Sequence, residues 1–173
     1  MIKDKIKSLD EIVKIVETLK KKGKKIVTTN GVFDIIHPGH VKYLEDAKKL
    51  GDVLIVGVNS DSSVKTNKGP KRPINSQKAR CEVLAALESV DYVFVFEEKD
   101  PRKWLERVKP NIHAKAGDYK KESMIEHDEV VKNGGKIVII KFESGHSTTD
   151  TIGKILNFIK ENLVLIMGLA LPL

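Results

Sequence analysis

With one cysteine in 173 residues, Cys81, the chain cannot form an intramolecular disulfide. Ala79, Val83, Leu84 and Leu87 surround that cysteine in a helical pattern, so it reads as a small buried hydrophobe in a reducing, cytoplasmic setting. Aromatic residues make up 5% of the sequence and no stacking motif occurs, which argues against a nucleic-acid partner. Membrane-length apolar runs are missing as well. The strongly apolar stretch from Leu163 to Leu173 is roughly half the ~20 residues that a bilayer span requires. It is expected to pack on the body or across a subunit interface, with a homodimer as the expected assembly and no membrane as partner. Met1 to Leu19 alternates Lys, Asp and Glu with Ile and Val, so no signal peptide is expected. No spacing of Cys or His spells out a metal site, because His37 and His40 are the only close pair and no third ligand is evident.

What the chain does carry is basic charge, a net +7 with a pI near 9.3, in an otherwise ordinary globular composition of 40% hydrophobic and 32% charged residues. That balance suits an anionic partner. Much of it lies in Lys20, Lys21, Lys22, Lys24 and Lys25, at the end of an expected helix, where cations meet the negative end of the dipole as a solvated face. The length suits a single domain over residues 1–173, with a core at about 24–160, an amino-terminal helix at 9–22 and the apolar tail at 163–173.

Leu9, Ile12, Val13, Val16 and Leu19 recur at helical steps behind a Ser8/Glu11 capping box, and Gly23 ends that helix. Lys24 to Thr29 reads as a strand, a helix follows from about His40 to Leu50, and Asp52 to Val58 is a continuous apolar run typical of a central parallel strand. Polar loops are expected at 59–64 and 65–75, then a helix from Ser76 to about Ser89 and a strand from Asp91 to Phe96. A short helix from Pro101 to Val108, a strand from Ile112 to Ala116, a helix near 122–132, a strand from Lys136 to Phe142 and a last helix through Ile159 complete the alternation. The pattern implies a three-layer α/β fold, a doubly wound parallel sheet of the Rossmann-like kind.

The junction after the first strand, Asn30-Gly31-Val32-Phe33-Asp34-Ile35-Ile36-His37-Pro38-Gly39-His40, carries the chemistry. It lies at the carboxyl end of a strand, where ligands collect in such sheets, and the free N–H groups of the next helix face whatever anion arrives. Gly31 and Gly39 permit close backbone approach, and two imidazoles stand three residues apart. A phosphate site is the expectation from these residues alone. As purely structural groups, the imidazoles would satisfy loop carbonyls.

His37-Pro38-Gly39-His40 after Gly31-Val32-Phe33-Asp34 resembles the HxGH signature of the nucleotidyltransferase superfamily, which includes cytidylyltransferases, pantetheine-phosphate adenylyltransferase and archaeal FAD synthetase. With Val58-Asn59-Ser60-Asp61, Lys68-Gly69-Pro70 through Arg72-Pro73-Ile74, Gly117-Asp118-Tyr119 and Ser147-Thr148-Thr149, it is similar to the adenylyltransferase domain of bacterial ADP-heptose synthases over about Ile6 to Ile159. No sugar kinase segment accompanies it, so the resemblance implies the stand-alone transferase. It implies transfer of AMP from ATP to D-glycero-D-manno-heptose 1-phosphate, with release of pyrophosphate and with Mg²⁺ accompanying ATP. Glycerol 3-phosphate cytidylyltransferase or FAD synthetase chemistry is the alternative on the same scaffold, and a non-catalytic nucleotide- or RNA-binding module is the alternative of another class.

The site residues divide as follows under that resemblance. His37, His40 and Lys68 are the expected catalytic groups, with Lys65 and Lys71 close enough to be confused with Lys68. Asn30, Gly31, Phe33, Gly39, Gly117, Asp118, Tyr119, Ser147, Thr148 and Thr149 are expected to bind the nucleotide. Asp34, Asn59, Asp61, Arg72 and Arg80 are expected to meet the acceptor, with an Asx turn as the plainer role of Asp61 and a surface salt bridge as that of Arg80. Lys68 and Arg72 are expected in a mobile loop that closes over the triphosphate. The family commonly has Gly where Ala116 stands, and Arg or Cys where His146 stands. A sugar phosphate is already an anion at neutral pH, its second pKa being near ~6. The task is therefore to bring two anions together and stabilise the added charge with positioned cations and N–H donors.

Overall fold

The computed structural model describes residues 1–117, 120–141 and 147–168. Five parallel strands form one sheet in the order β3-β2-β1-β4-β5: β1 (Ile26–Gly31), β2 (Val53–Asn59), β3 (Tyr92–Phe96), β4 (Ile112–Ala116) and β5 (Lys136–Ile140). The order has a physical cause. From β1 the chain winds outward through β2 to β3, then returns to the other side of β1 and winds outward again, so the direction reverses between β1 and β4. At that switch point the connections leaving the two strands diverge and open a crevice beyond their carboxyl ends.

Helices cover both faces. On one side, α3 (Pro38–Lys48) and α5 (Gln77–Ala86) bury Tyr43, Leu44, Cys81 and Leu84 against Val27, Leu54, Val56 and Val58. On the other, α2 (Leu9–Lys21), α6 (Arg102–Val108) and α7 (His127–Lys132) bury Ile12, Val16, Trp104 and Val130 against Ile26, Val53 and Ile55. All seven residues of β2 are buried, since alternate side chains feed the two cores, and this is why its sequence is apolar without alternation. The expected three-layer, doubly wound α/β fold is the one observed. The capping box on α2 is formed as its sequence predicts, with Ser8 Oγ accepting from the Glu11 N–H and the Glu11 carboxylate accepting from the Ser8 N–H at 2.8 Å.

Several boundaries differ from expectation. Residues 61–68, expected as loop, form α4 (Asp61–Lys68), capped by Ser60 Oγ accepting from the Ser63 N–H at 3.1 Å. Its sequence, Asp-Ser-Ser-Val-Lys-Thr-Asn-Lys, has a single apolar residue, Val64, so it shows no helical stripe; the cap and that one anchor suffice because α4 follows directly on the buried β2. A four-residue helix, α1 (Ile2–Lys5), precedes α2. A 3₁₀ turn (Lys121–Ser123) replaces the first part of the helix expected near 122, and α7 starts only at His127. The last helix, α8 (Thr148–Gly168), runs through the start of the apolar stretch, whose final residues 169–173 lie outside the described residues. β5 ends at Ile140, and Phe142, expected as its last residue, is likewise outside them.

Candidate active site

The loop leaving β1 is shaped by a close approach. Phe33 adopts a left-handed backbone (φ 48), which folds its ring back over Gly31, where a Cβ would come within 3.0 Å of the ring edge; only glycine fits there without displacement. The ring then lies 5.3 Å from that of His40. His37 stands at the N-cap of α3 with an extended backbone, Pro38 takes the first helical position and His40 the third. One helical turn apart, the two imidazoles stack at 3.8 Å with planes 27° apart. Burial, and then the neighbouring charge of His37, pushes the His40 pKa down to about 4, so that the ring is neutral at pH 7. The two imidazoles are therefore neighbours at the start of α3, where the His37 carbonyl accepts from the His40 N–H at 2.9 Å, and His40 lines the crevice.

The other helix start at this edge is that of α8. Ser147 caps it, its Oγ accepting from the Asp150 N–H at 3.0 Å. Thr148 donates its hydroxyl to the Ile35 carbonyl at 3.3 Å, two residues before His37. The N-termini of α3 and α8, 110 positions apart in sequence by Pro38 and Thr148, are thus joined at one point. Thr149 follows on the exposed side. Asp118, Tyr119, Gly145 and His146, which the sequence also places at this edge, lie outside the described residues.

Beside the histidines a cavity of about 520 Å³ opens at the switch point, lined among others by Asn30, Gly31, His40, Asn59, Lys68 and Lys115. Lys68 reaches it from the last turn of α4, not from a loop, and Gly69 (φ 93) ends that helix immediately after. The expectation of a mobile lysine loop is corrected on this point. Arg72 has a partner within the protein. Its Nε donates to Asp34 at 2.8 Å, and the Asp34 carboxylate also accepts from the backbone N–H groups of Ile74 at 2.9 Å and Asn75 at 2.8 Å. Asp34 is 1% exposed and cannot meet an acceptor; it buttons residues 72–75 onto the loop after β1. Arg80, expected to touch substrate, is fully buried and donates to the carbonyls of Val32 (2.6 Å), Asn59 (2.8 Å) and Asn75 (3.1 Å) and to the Asp61 carboxylate (2.8 Å). It serves as a bolt between three loops; the salt bridge that stood as its alternative does form, to Asp61, but from a buried guanidinium and not on the surface. Asp61 accepts from Arg80 through Oδ1 and keeps its side chain 33% exposed at the start of α4.

Sequence reading passed over Lys115 and Glu126. Lys115 Nζ lies 2.7 Å from Glu126 Oε1 and donates to Asn30 Oδ1 at 3.1 Å. Lys115 is the penultimate residue of β4, at the carboxyl edge of the sheet, and so carried a positional signal; Glu126 had none, since its partner lies in a different element. Tyr43 was missed as well: its hydroxyl sits 2.6 Å from Thr29 Oγ1 and donates to the Ala114 carbonyl at 2.9 Å, tying α3 to β1 and β4, and burial raises its pKa.

Comparison with known proteins agrees with this geometry. The sequence model of the cytidylyltransferase-like family matches residues 28–162. The chain is 53% identical over 146 residues to the bifunctional protein HldE of Actinobacillus pleuropneumoniae serotype 5b, covering 84% of this chain and 31% of that protein. It is 49% identical over 152 residues to the bifunctional protein HldE of Geobacter metallireducens, covering 88% and 31%. The chain therefore spans about a third of the length of these curated relatives. Among solved structures, a lipopolysaccharide core biosynthesis protein from Thermoplasma volcanium superposes with a TM-score of 0.60 at 32% identity, covering 72% of this chain and 100% of that one. A pantoate-β-alanine ligase from Francisella tularensis, at 21% identity and a TM-score of 0.59 over 91% of this chain and 78% of that one, shares the fold.

Proposed function

The chain belongs to the cytidylyltransferase-like family, and from that premise we propose that it is a nucleotidyltransferase that moves AMP from ATP onto a sugar 1-phosphate, D-glycero-D-manno-heptose 1-phosphate, giving ADP-heptose and pyrophosphate. The observation that carries the reading is the joining of the α3 and α8 N-termini through Thr148 and Ile35, beside the stacked histidines. Two helix starts and two imidazoles form a place for a polyphosphate, and a lysine-bearing cavity adjoins it. The resemblance to the adenylyltransferase domain of ADP-heptose synthases, and the likeness to the lipopolysaccharide core biosynthesis protein from Thermoplasma volcanium, support the sugar and the nucleotide.

In this reading a phosphate oxygen of the sugar phosphate attacks the α-phosphorus, and the bond from that phosphorus to the bridging oxygen of the β-phosphate breaks. Pyrophosphate leaves with the electron pair. The acceptor oxygen is already anionic, so no side chain has to remove a proton from it. His37 and His40 donate N–H to the phosphates, amides at the starts of α3 and α8 take the β- and γ-oxygens, and Lys68 offsets charge from the acceptor side. Mg²⁺ enters as part of the ATP complex. Among the described residues no group of three or more His, Cys, Asp or Glu is placed to hold a metal.

The test is pyrophosphate release with Mg²⁺, each nucleoside triphosphate and a panel of phosphorylated acceptors. ATP with heptose 1-phosphate is expected to turn over fastest; turnover of CTP with glycerol phosphate instead would replace the assignment. We also read the protein as a cytoplasmic homodimer. No helix among the described residues is long and apolar enough to cross a membrane. Every residue of α8 from 154 to 161 is exposed, Phe158 at 66%, and Ile155, Ile159 and Leu163 repeat at four-residue steps, a stripe that suits a second copy. Light scattering should give twice the chain mass, falling to the single mass in Phe158→Asp.

A further inference from the structure

At the floor of the switch-point cavity lies an ion pair that the transfer chemistry does not use. Glu126 occupies the N-cap position of α7 but makes no side-chain cap there; its carboxylate, 4% exposed, turns inward to Lys115, which is 21% exposed. Behind them His113, fully buried, takes Thr28 Oγ1 on Nδ1 at 2.9 Å and presents Nε2 to Glu126 Oε1 at 3.8 Å. A carboxylate at that position favours the tautomer with hydrogen on Nε2, so Thr28 donates to Nδ1. Burying such a pair costs desolvation that packed apolar residues would avoid.

The same cavity also receives Lys68 and Lys99 at its exposed rim, and the Asp100 carboxylate beside Lys99 is taken up by Arg102, which donates to both its oxygens. The rim therefore carries uncompensated positive charge. The floor is different, because Lys115 and Glu126 cancel. A neutralised pair attracts phosphate poorly, yet it sets a strong donor next to a strong acceptor, and the amides of Asn30 and Asn59 add both kinds of group within the same cavity. Phosphate at the rim and alternating donors and acceptors below it suit a phosphate ester with several hydroxyls.

Resting on the proposed transfer to a sugar 1-phosphate, we infer that the Lys115–Glu126 pair determines acceptor specificity by hydrogen-bonding the hydroxyls of the sugar, while Lys68 and Lys99 hold its phosphate. Charged partners make such contacts worth roughly tenfold or more in affinity each. The pair also ties β4 to the start of α7, so the experiment must separate recognition from support.

Calorimetric titration of the full chain with inorganic phosphate, glycerol 3-phosphate, mannose 1-phosphate and heptose 1-phosphate makes that separation. In the wild type, affinity should rise as hydroxyls are added. In Glu126→Gln the gain of the sugar phosphates over inorganic phosphate should fall by roughly tenfold or more, with phosphate and ATP affinities unchanged. If Glu126→Gln leaves Lys115 too poorly compensated to fold, the double variant Lys115→Gln with Glu126→Gln removes both charges and should show the same loss. An undiminished gain in either folded variant, or an equal weakening of all ligands including ATP, overturns the inference. The outcome is distinct from failure of the proposed function: hydroxyl-dependent binding without pyrophosphate release from ATP would sink the transfer reaction and leave the acceptor site standing.

Discussion

At neutral pH His40 is an uncharged ring at the positive end of a helix, and its low pKa follows from burial first and from His37 second. A bound polyphosphate reverses that balance, since an anion favours the imidazolium. ATP binding should therefore take up a proton between about pH 4 and pH 6.5, and affinity should tighten as pH falls through that window. Calorimetry in buffers of different ionisation heat would register the uptake in the wild type and its loss in His40→Gln. His40→Ala should slow pyrophosphate release by roughly 10²–10³-fold while the protein stays folded, the range for loss of a positioned donor. An unchanged rate would remove His40 from the mechanism. Asp34 predicts a different kind of loss. Its carboxylate is buried against Arg72 and two backbone N–H groups, so Asp34→Ala should cost about 3–5 kcal/mol by denaturant unfolding. His37 and His40 were legible because both they and their glycine lie within one short run. The roles of Asp34, Arg72 and Arg80 were not, because each is set by a partner tens of residues away, and an arginine near a phosphate loop reads alike whether it faces the ligand or the core.

Elements were legible where burial imposes a period. β2 has no polar residue before Asn59, α2 keeps its apolar face and capping box, and both formed close to the expected limits. α4 was not legible, since one buried valine cannot make a stripe, and missing it turned Lys68 into a loop residue. The correction changes the chemistry, for a lysine on a capped helix is placed by the fold before substrate arrives. α8 links element to site through a single side chain. Thr148→Val keeps the shape of that residue and removes its bond to Ile35; it should cost stability by about 1 kcal/mol and raise the KM for ATP several-fold with less change in the KM for the acceptor. Equal effects on both substrates would show that α8 supports the whole edge and does not grip the nucleotide.

For the molecule as a whole, the order β3-β2-β1-β4-β5 creates the site, because it puts the ends of β1 and β4 side by side with their loops diverging. Alternating strands and helices predicted a doubly wound sheet, but pairing Lys115 with Glu126 and Asn30 required the three-dimensional order. The same packing leaves His113 buried and neutral, its pKa held well below the usual value by burial and then by Lys115. Since the unfolded chain binds that proton more readily, stability is complete above about pH 6.5 and is lost as pH falls toward the depressed value. His113→Asn should flatten the fall in denaturant midpoint between pH 7 and pH 5. The most direct measurement for the central claim follows the backbone amide signals of Gly39, His40, Thr148 and Thr149 by NMR during an ATP titration. All four should shift together along one saturation curve; movement of the α3 amides while those of α8 stay fixed would contradict a shared polyphosphate cradle.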